Sequence, residues 1–207
     1  MQHNTIEKTT KRLIKESLPK SISYSEYRSL VAQLAIVGKS TGPEQTDALA
    51  NYTQLNDRRM KRWDRTLKFN AEALDQISKV NRKITWLVLT ESWCGDAAPA
   101  LPVMHKISEL NASIDLKVIL RDEHHDLMQR FLTSGGMSIP KLILWDEEKQ
   151  EVRGDWGPSP KPVAKLVADH KAKHGKLLPE IKEEIQLWYN KDKGQTILKE
   201  LTSLLLK

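Results

Sequence analysis

A single cysteine stands among the 207 residues, so no disulfide can close within the chain. That scarcity fits a reducing compartment, and a cytoplasmic location is expected. No apolar run reaches the roughly 18–20 residues needed to span a bilayer, so no membrane partner is expected. The opening, Met1 to Lys8, lacks the apolar stretch of a secretory leader. An excess of one charge is also small: 33 basic against 27 acidic residues leave +6, spread along the chain. Such a balance argues for solubility and against a nucleic-acid partner. Internal repeats and low-complexity tracts are missing, and the length suffices to bury a full core.

What is present is a change of period. Residues 1 to about 80 read as helices. Ser23-Tyr24-Ser25-Glu26 has capping-box spacing, and Tyr27, Leu30, Val31, Leu34 and Val37 follow at helical intervals before Gly38. Thr41-Gly42-Pro43 is expected to open a second helix, striped by Leu49, Tyr52, Leu55, Met60, Trp63 and Leu67. From Ile84 the pattern turns β: Ile84–Thr90 is nearly continuous in apolar residues, as a doubly covered strand should be. Helix over Ala97–Leu110, strand over Ile114–Leu120, helix over Asp122–Leu132 and strand over Ile139–Trp145 follow. Glu151–Trp156 is expected as an antiparallel strand, Pro160 to about His174 as a helix, and two amphipathic segments after Pro179. Strand, helix, strand, helix, two strands, helix predicts an α/β fold, a central mixed sheet flanked by helices. The expected organisation is an N-terminal helical extension over 1–79, a core domain over 80–174 and a C-terminal helical extension over 175–207.

The one sulfur, Cys94, lies in Glu91-Ser92-Trp93-Cys94-Gly95-Asp96-Ala97-Ala98-Pro99, between a strand and a helix. A cysteine at a helix N-terminus meets free N–H groups and the positive end of the helix dipole, which favour thiolate. Asp96 opposes ionisation by its charge, or accepts the proton as a local base. Lowering of the Cys94 pKa is the expectation. A thiolate attacks disulfides or is oxidised to a sulfenic acid. Any adduct needs an external thiol for release, because the chain has no second one.

Trp93-Cys94-Gly95 after a buried strand resembles the Trp-Cys-Gly-Pro-Cys turn of the thioredoxin family. Pro102 matches the proline that kinks that family's active-site helix, Ile139-Pro140 its cis-proline, and Gly157 a glycine leading its final helix. The resemblance implies a thioredoxin-like core over about 80–174. It implies Cys94 as nucleophile, with Trp93, Gly95, Asp96, Ser138, Ile139 and Pro140 forming the substrate site. Substrate peptides in the family pair with the backbone beside the cis-proline as an added strand. Trp-Cys-Gly-Asp, Arg121-Asp122-Glu123, Gly136 to Lys141, Trp156-Gly157-Pro158 and Leu187 to Gly194 look like a bacterial branch of uncharacterised thioredoxin-like proteins. Two departures stand out. Ala97 replaces the resolving cysteine, and Val88 a buried aspartate that assists it.

The resulting expectation is thiol exchange at Cys94 with protein thiols or disulfides, or with a low-molecular-weight thiol. No cofactor and no metal are implied. The alternative is a non-catalytic binding protein whose helical extensions meet a partner or a second copy. Cluster binding as in monothiol glutaredoxins ranks lower, since their Cys-Gly-Phe-Ser turn is missing. Asp122-Glu123-His124-His125-Asp126 reads as a helix cap before a metal site. His105 lies about three helical turns beyond Cys94, too far to serve as its base. Arg58, Arg59, Lys61, Arg62 and Arg65 read as a solvated face, and Gly135-Gly136 as a helix stop.

Overall fold

The structure, a computed structural model, describes residues 2–206. Helix α1 (Gln2–Ser17) leads through a 3-10 turn to a two-residue strand, β1 (Ile22–Ser23), and then α2 (Tyr24–Val37). The α2 start is a capping box: the Glu26 N–H donates to Ser23 Oγ at 3.2 Å and the Ser23 N–H to Glu26 Oε2 at 2.7 Å. Gly38, at φ 64°, takes the left-handed position that ends α2. Helices α3 (Asp47–Thr66) and α4 (Ala71–Ser78) precede the central strand β2 (Ile84–Thr90). Then come α5 (Ala97–Leu110), β3 (Ile114–Leu120), α6 (His125–Met128), β4 (Lys141–Asp146) and β5 (Glu151–Trp156). Three helices close the chain: α7 (Lys161–His174), α8 (Pro179–Asp192) and α9 (Gln195–Leu205).

The five strands lie in the order β1-β3-β2-β4-β5, with β2 and β3 parallel and the other neighbours antiparallel. This is an α/β thioredoxin-like fold with extra helices before and after it. Every residue of β2 is buried, as its central place requires. Helix α5 buries Ala97 through Met104. It packs against α3, α4 and α9. Among the described residues, no helix is long and apolar enough to cross a membrane.

Several local expectations are corrected. The N-terminal region is not purely helical: Ile22 and Ser23 pair with Val118 and Lys117, giving the outer edge of β3 a partner. Helix α3 starts at Asp47, capped by Thr46, and not at Thr41. Thr41 is held by Ser92, while Gln45 Nε2 donates to the carbonyls of Ser40 and Gly42, tying 40–45 into a loop. The expected helix over Asp122–Leu132 shrinks to a 3-10 turn, Arg121–Glu123, and the four-residue α6. The Asp122 N–H donates to Glu91 Oε1 at 2.9 Å, which pulls that segment back toward the end of β2. No side chain of this acidic run caps a helix, and Gly135-Gly136 lies in a turn where Thr133 and Gly136 exchange backbone hydrogen bonds.

β4 begins at Lys141, two residues later than the pattern suggests. Ile139 and Pro140 thus stay outside the ladder, which leaves the Ile139 carbonyl free for another partner. That partner is the cysteine.

Candidate functional site

Between β2 and α5 the chain turns through six residues, and the N-terminal helices hold the first two of them. The Tyr27 hydroxyl of α2 donates to Glu91 O at 3.1 Å. The Ser92 N–H donates to Thr41 Oγ1 at 2.8 Å, and the Thr41 N–H returns a bond to Ser92 Oγ at 2.9 Å. Ser92 Oγ is also hydrogen-bonded to the Thr53 hydroxyl at 2.8 Å, while Asn56 Nδ2 donates to Ser92 O at 2.9 Å. Each of these groups is buried, so each bond satisfies atoms that water cannot reach. Glu91 is fully buried as well, and burial pushes its carboxyl pKa up.

Trp93 is half-buried, and the Arg121 guanidinium lies 5.0 Å from its ring centroid. Arg121 is in turn paired with Asp122 at 2.7 Å. Cys94 is 6% exposed. Its Sγ donates to Ile139 O at 3.2 Å, and the Ile139–Pro140 peptide is cis. Gly157 makes this corner tight: at φ 115°, a Cβ there would run into Pro140 O. Cys94, Ile139 and Pro140 therefore meet. Trp93, Gly95 and Asp96 lie on the same turn, and Ser138 is half-buried just before Ile139.

The acidity of the thiol is opposite to the expectation. Burial, reinforced by the Asp96 charge, pushes the Cys94 pKa from an ordinary 9.0 up to about 12. The N–H groups of Ala97 and Asp96, and the Arg121 charge, pull it down, but desolvation wins. A helix N-terminus lowers a thiol pKa when the sulfur keeps some water; here burial removes it. At rest the sulfur is a protonated thiol donating to a carbonyl.

Asp96 is also perturbed. The Tyr189 hydroxyl of α8 donates to Asp96 Oδ1 at 2.7 Å, and Tyr189 itself is 2% exposed. Burial raises the Asp96 pKa to about 6, against the opposing pull of Tyr189 and Arg59. The proton-accepting role expected of Asp96 thus competes with a bond already made to Tyr189.

Tyr189, Tyr27, Thr41, Thr53 and Asn56 were not expected at the site. Thr53 and Asn56, polar residues set one turn apart on a face that also buries Met60 and Trp63, were the available signal. His105 stacks on Tyr24 with centroids 4.2 Å apart and takes no part in the turn. Of the expected solvated basic face, Arg58, Lys61, Arg62 and Arg65 are exposed, whereas Arg59 is half-buried. Among the described residues, no group of three or more His, Cys, Asp or Glu is placed to hold a metal. Ala97, 1% exposed, fills the position after the turn with a methyl group. One ionised sulfur could attack a disulfide here, and nothing within the chain could release the product.

A model of the thioredoxin family matches residues 42–173, a span that takes in α3 as well as the strands β2 to β5. Among solved structures, a protein of unknown function, PA1234 from Pseudomonas aeruginosa, is similar with a TM-score of 0.58 and 17% identity, covering 89% of this chain and 97% of its own. An HIV epitope-scaffold is similar with a TM-score of 0.55 and 16% identity, covering 89% of this chain and 98% of its own. At these identities both likenesses concern the fold. No curated protein matches the chain.

Proposed function

Because this chain belongs to the thioredoxin family, we propose that it performs thiol–disulfide exchange through one sulfur, with the second thiol supplied from outside. The observation carrying this reading is the contact between Cys94 Sγ and Ile139 O at 3.2 Å beside Pro140. It sets the nucleophile against the backbone to which a substrate would pair as an extended strand. In the reaction, Cys94 loses its proton to solvent and attacks one sulfur of a disulfide. The S–S bond breaks, a mixed disulfide forms on Cys94, and the leaving thiolate takes up a proton. A thiol from a second molecule then attacks the mixed disulfide and restores Cys94. Trp93, Gly95, Asp96 and Ser138 border the substrate. The lone cysteine supports a reducing, cytoplasmic setting, and the Trp-Cys-Gly-Asp turn supports placement in a bacterial branch of the family.

A second reading, a non-catalytic binding protein, is favoured by one observation: the resting sulfur is buried and protonated. Intact-mass analysis separates the two. Incubated at about pH 8 with excess oxidised glutathione, the folded protein should gain one glutathione over hours, and Cys94→Ser none. The adduct should disappear on adding a reducing thiol. A folded protein that stays unmodified, while the unfolded chain reacts fully, would refute exchange and leave the binding reading.

A further inference from the structure

We infer that the seam between α3 and α8 beside Cys94 binds the carboxylate of a small thiol or disulfide. This names the substrate class of the exchange site just proposed, and so rests on that reading. The seam is aligned by contacts along both helices. At one end Lys182 Nζ donates to the Tyr52 hydroxyl at 2.7 Å, and the same nitrogen lies 5.1 Å from the Tyr52 ring centroid. At the other end Arg62 Nη1 donates to Asn190 Oδ1 at 3.3 Å. Arg59 lies between Tyr52 and Arg62 on α3, one turn past the Asn56 that holds Ser92 O. From α8 the Tyr189 hydroxyl reaches Asp96, two residues from the sulfur, and the Asp96 charge acts on Arg59.

None of the three cations of this seam makes an ion pair among the described residues. Lys182 is bonded to a phenol and Arg62 to an amide. Arg59 is half-buried with no hydrogen bond or ion pair among the described residues, and the only acidic groups acting on it are Asp96 and the Tyr52 phenol. The contrast with the same helix is direct: Lys61 pairs with Asp57 at 2.8 Å on the α2 side. A half-buried guanidinium that feels the Asp96 charge but makes no hydrogen bond keeps its donor fork open for a carboxylate. Arg59 has the planar fork for a carboxylate, and Arg62 and Lys182 add positive potential at the two ends. An extended protein segment uses backbone beside Pro140; a small anionic thiol would instead be held from the α3 side, its sulfur toward Cys94.

The test uses the full chain carrying Cys94→Ser, which separates binding from reaction, with reduced glutathione as the probe in NMR titrations. Saturable binding should weaken about tenfold in Arg59→Gln and be partly kept in Arg59→Lys. It should weaken with added salt and remain unchanged in Arg65→Gln, an exposed arginine near the end of α3. Absence of saturable binding, or equal affinity in Arg59→Gln, would overturn the inference. A parallel reaction of unsubstituted Cys94 with uncharged 2-hydroxyethyl disulfide tests the exchange reading by itself. Reaction there without Arg59-dependent glutathione binding leaves exchange standing and removes the anion site. Arg59-dependent binding with an inert Cys94 does the reverse.

Discussion

Raising a thiol pKa from 9.0 to about 12 leaves a measurable signature in its alkylation rate. Below the midpoint, each pH unit multiplies the thiolate population about tenfold, so at neutral pH the folded protein holds about a thousandfold less thiolate than an ordinary cysteine. Intrinsic nucleophilicity runs the other way. With a Brønsted slope of about 0.4–0.5, three pH units of added basicity make each thiolate about twentyfold more reactive. The net deficit is therefore about fiftyfold, before any slowing from limited access at 6% exposure. Iodoacetamide labelling followed by intact-mass analysis should show a logarithmic rate climbing by about one per pH unit from about 7 to 10, without levelling. Free glutathione in the same tubes should flatten near pH 9. Asp96→Asn removes the neighbouring charge and should lower the Cys94 midpoint by about one pH unit, raising the rate several-fold at fixed pH. Levelling of the folded protein at or below about pH 9 would show that desolvation does not govern the sulfur, and the reasoning would fail.

Asp96 itself has a folded pKa raised from 3.8 to about 6, so folding favours its protonated form and stability falls as pH rises through that interval. Asp96→Asn escapes this loss: it should match the parent below about pH 4 and exceed it by about 1–2 kcal/mol above pH 7, discounting for partial exposure. Thermal melts across the pH range read this difference, and a variant less stable at neutral pH contradicts it. Ser92→Ala deprives the buried Thr41 N–H of its acceptor and removes the hydrogen bond to the Thr53 hydroxyl; urea titration should show a loss of about 2–3 kcal/mol. A loss under about 0.5 kcal/mol would mean that water replaces the hydroxyl. Gly157→Ala puts a methyl into Pro140 O at φ 115°. It should cost more than about 3 kcal/mol and reduce soluble yield; a fully stable variant would disprove the close approach.

The features legible in the sequence are those set by neighbours along the chain. The capping box at Ser23 and the stop at Gly38 were readable because their partners lie three or four residues away. The seven-residue apolar run of β2 announced a doubly covered strand, and the following turn announced Cys94. Pairings across long separations were not legible. Tyr189 and Asp96 are 93 residues apart, and Thr41 and Ser92 are 51 apart. No local propensity encodes either bond. The same limit explains the late start of α3, since Thr41 follows its distant partner and not the helical pattern of its own segment.

Val88 and Ala97, the two departures from the pattern that the resemblance implies, fit the physics of the buried site. Val88 is fully buried in β2 between Val118 and Leu142 on the neighbouring strands. An aspartate there would sit among apolar side chains, and with a methyl group at position 97 there is no second thiol for it to serve. β2 is accordingly an ordinary hydrophobic strand, and the carboxylate acting on Cys94 is Asp96, on the turn itself. There it accepts a hydrogen bond from Tyr189 of α8 and feels the charge of Arg59 of α3. The acidity of Cys94 therefore depends on Asp96 and, through it, on α8 and α3. The reactivity of this sulfur is consequently a property of how those helices sit, and a change that loosens α8 should act on the thiol more strongly than one within β2.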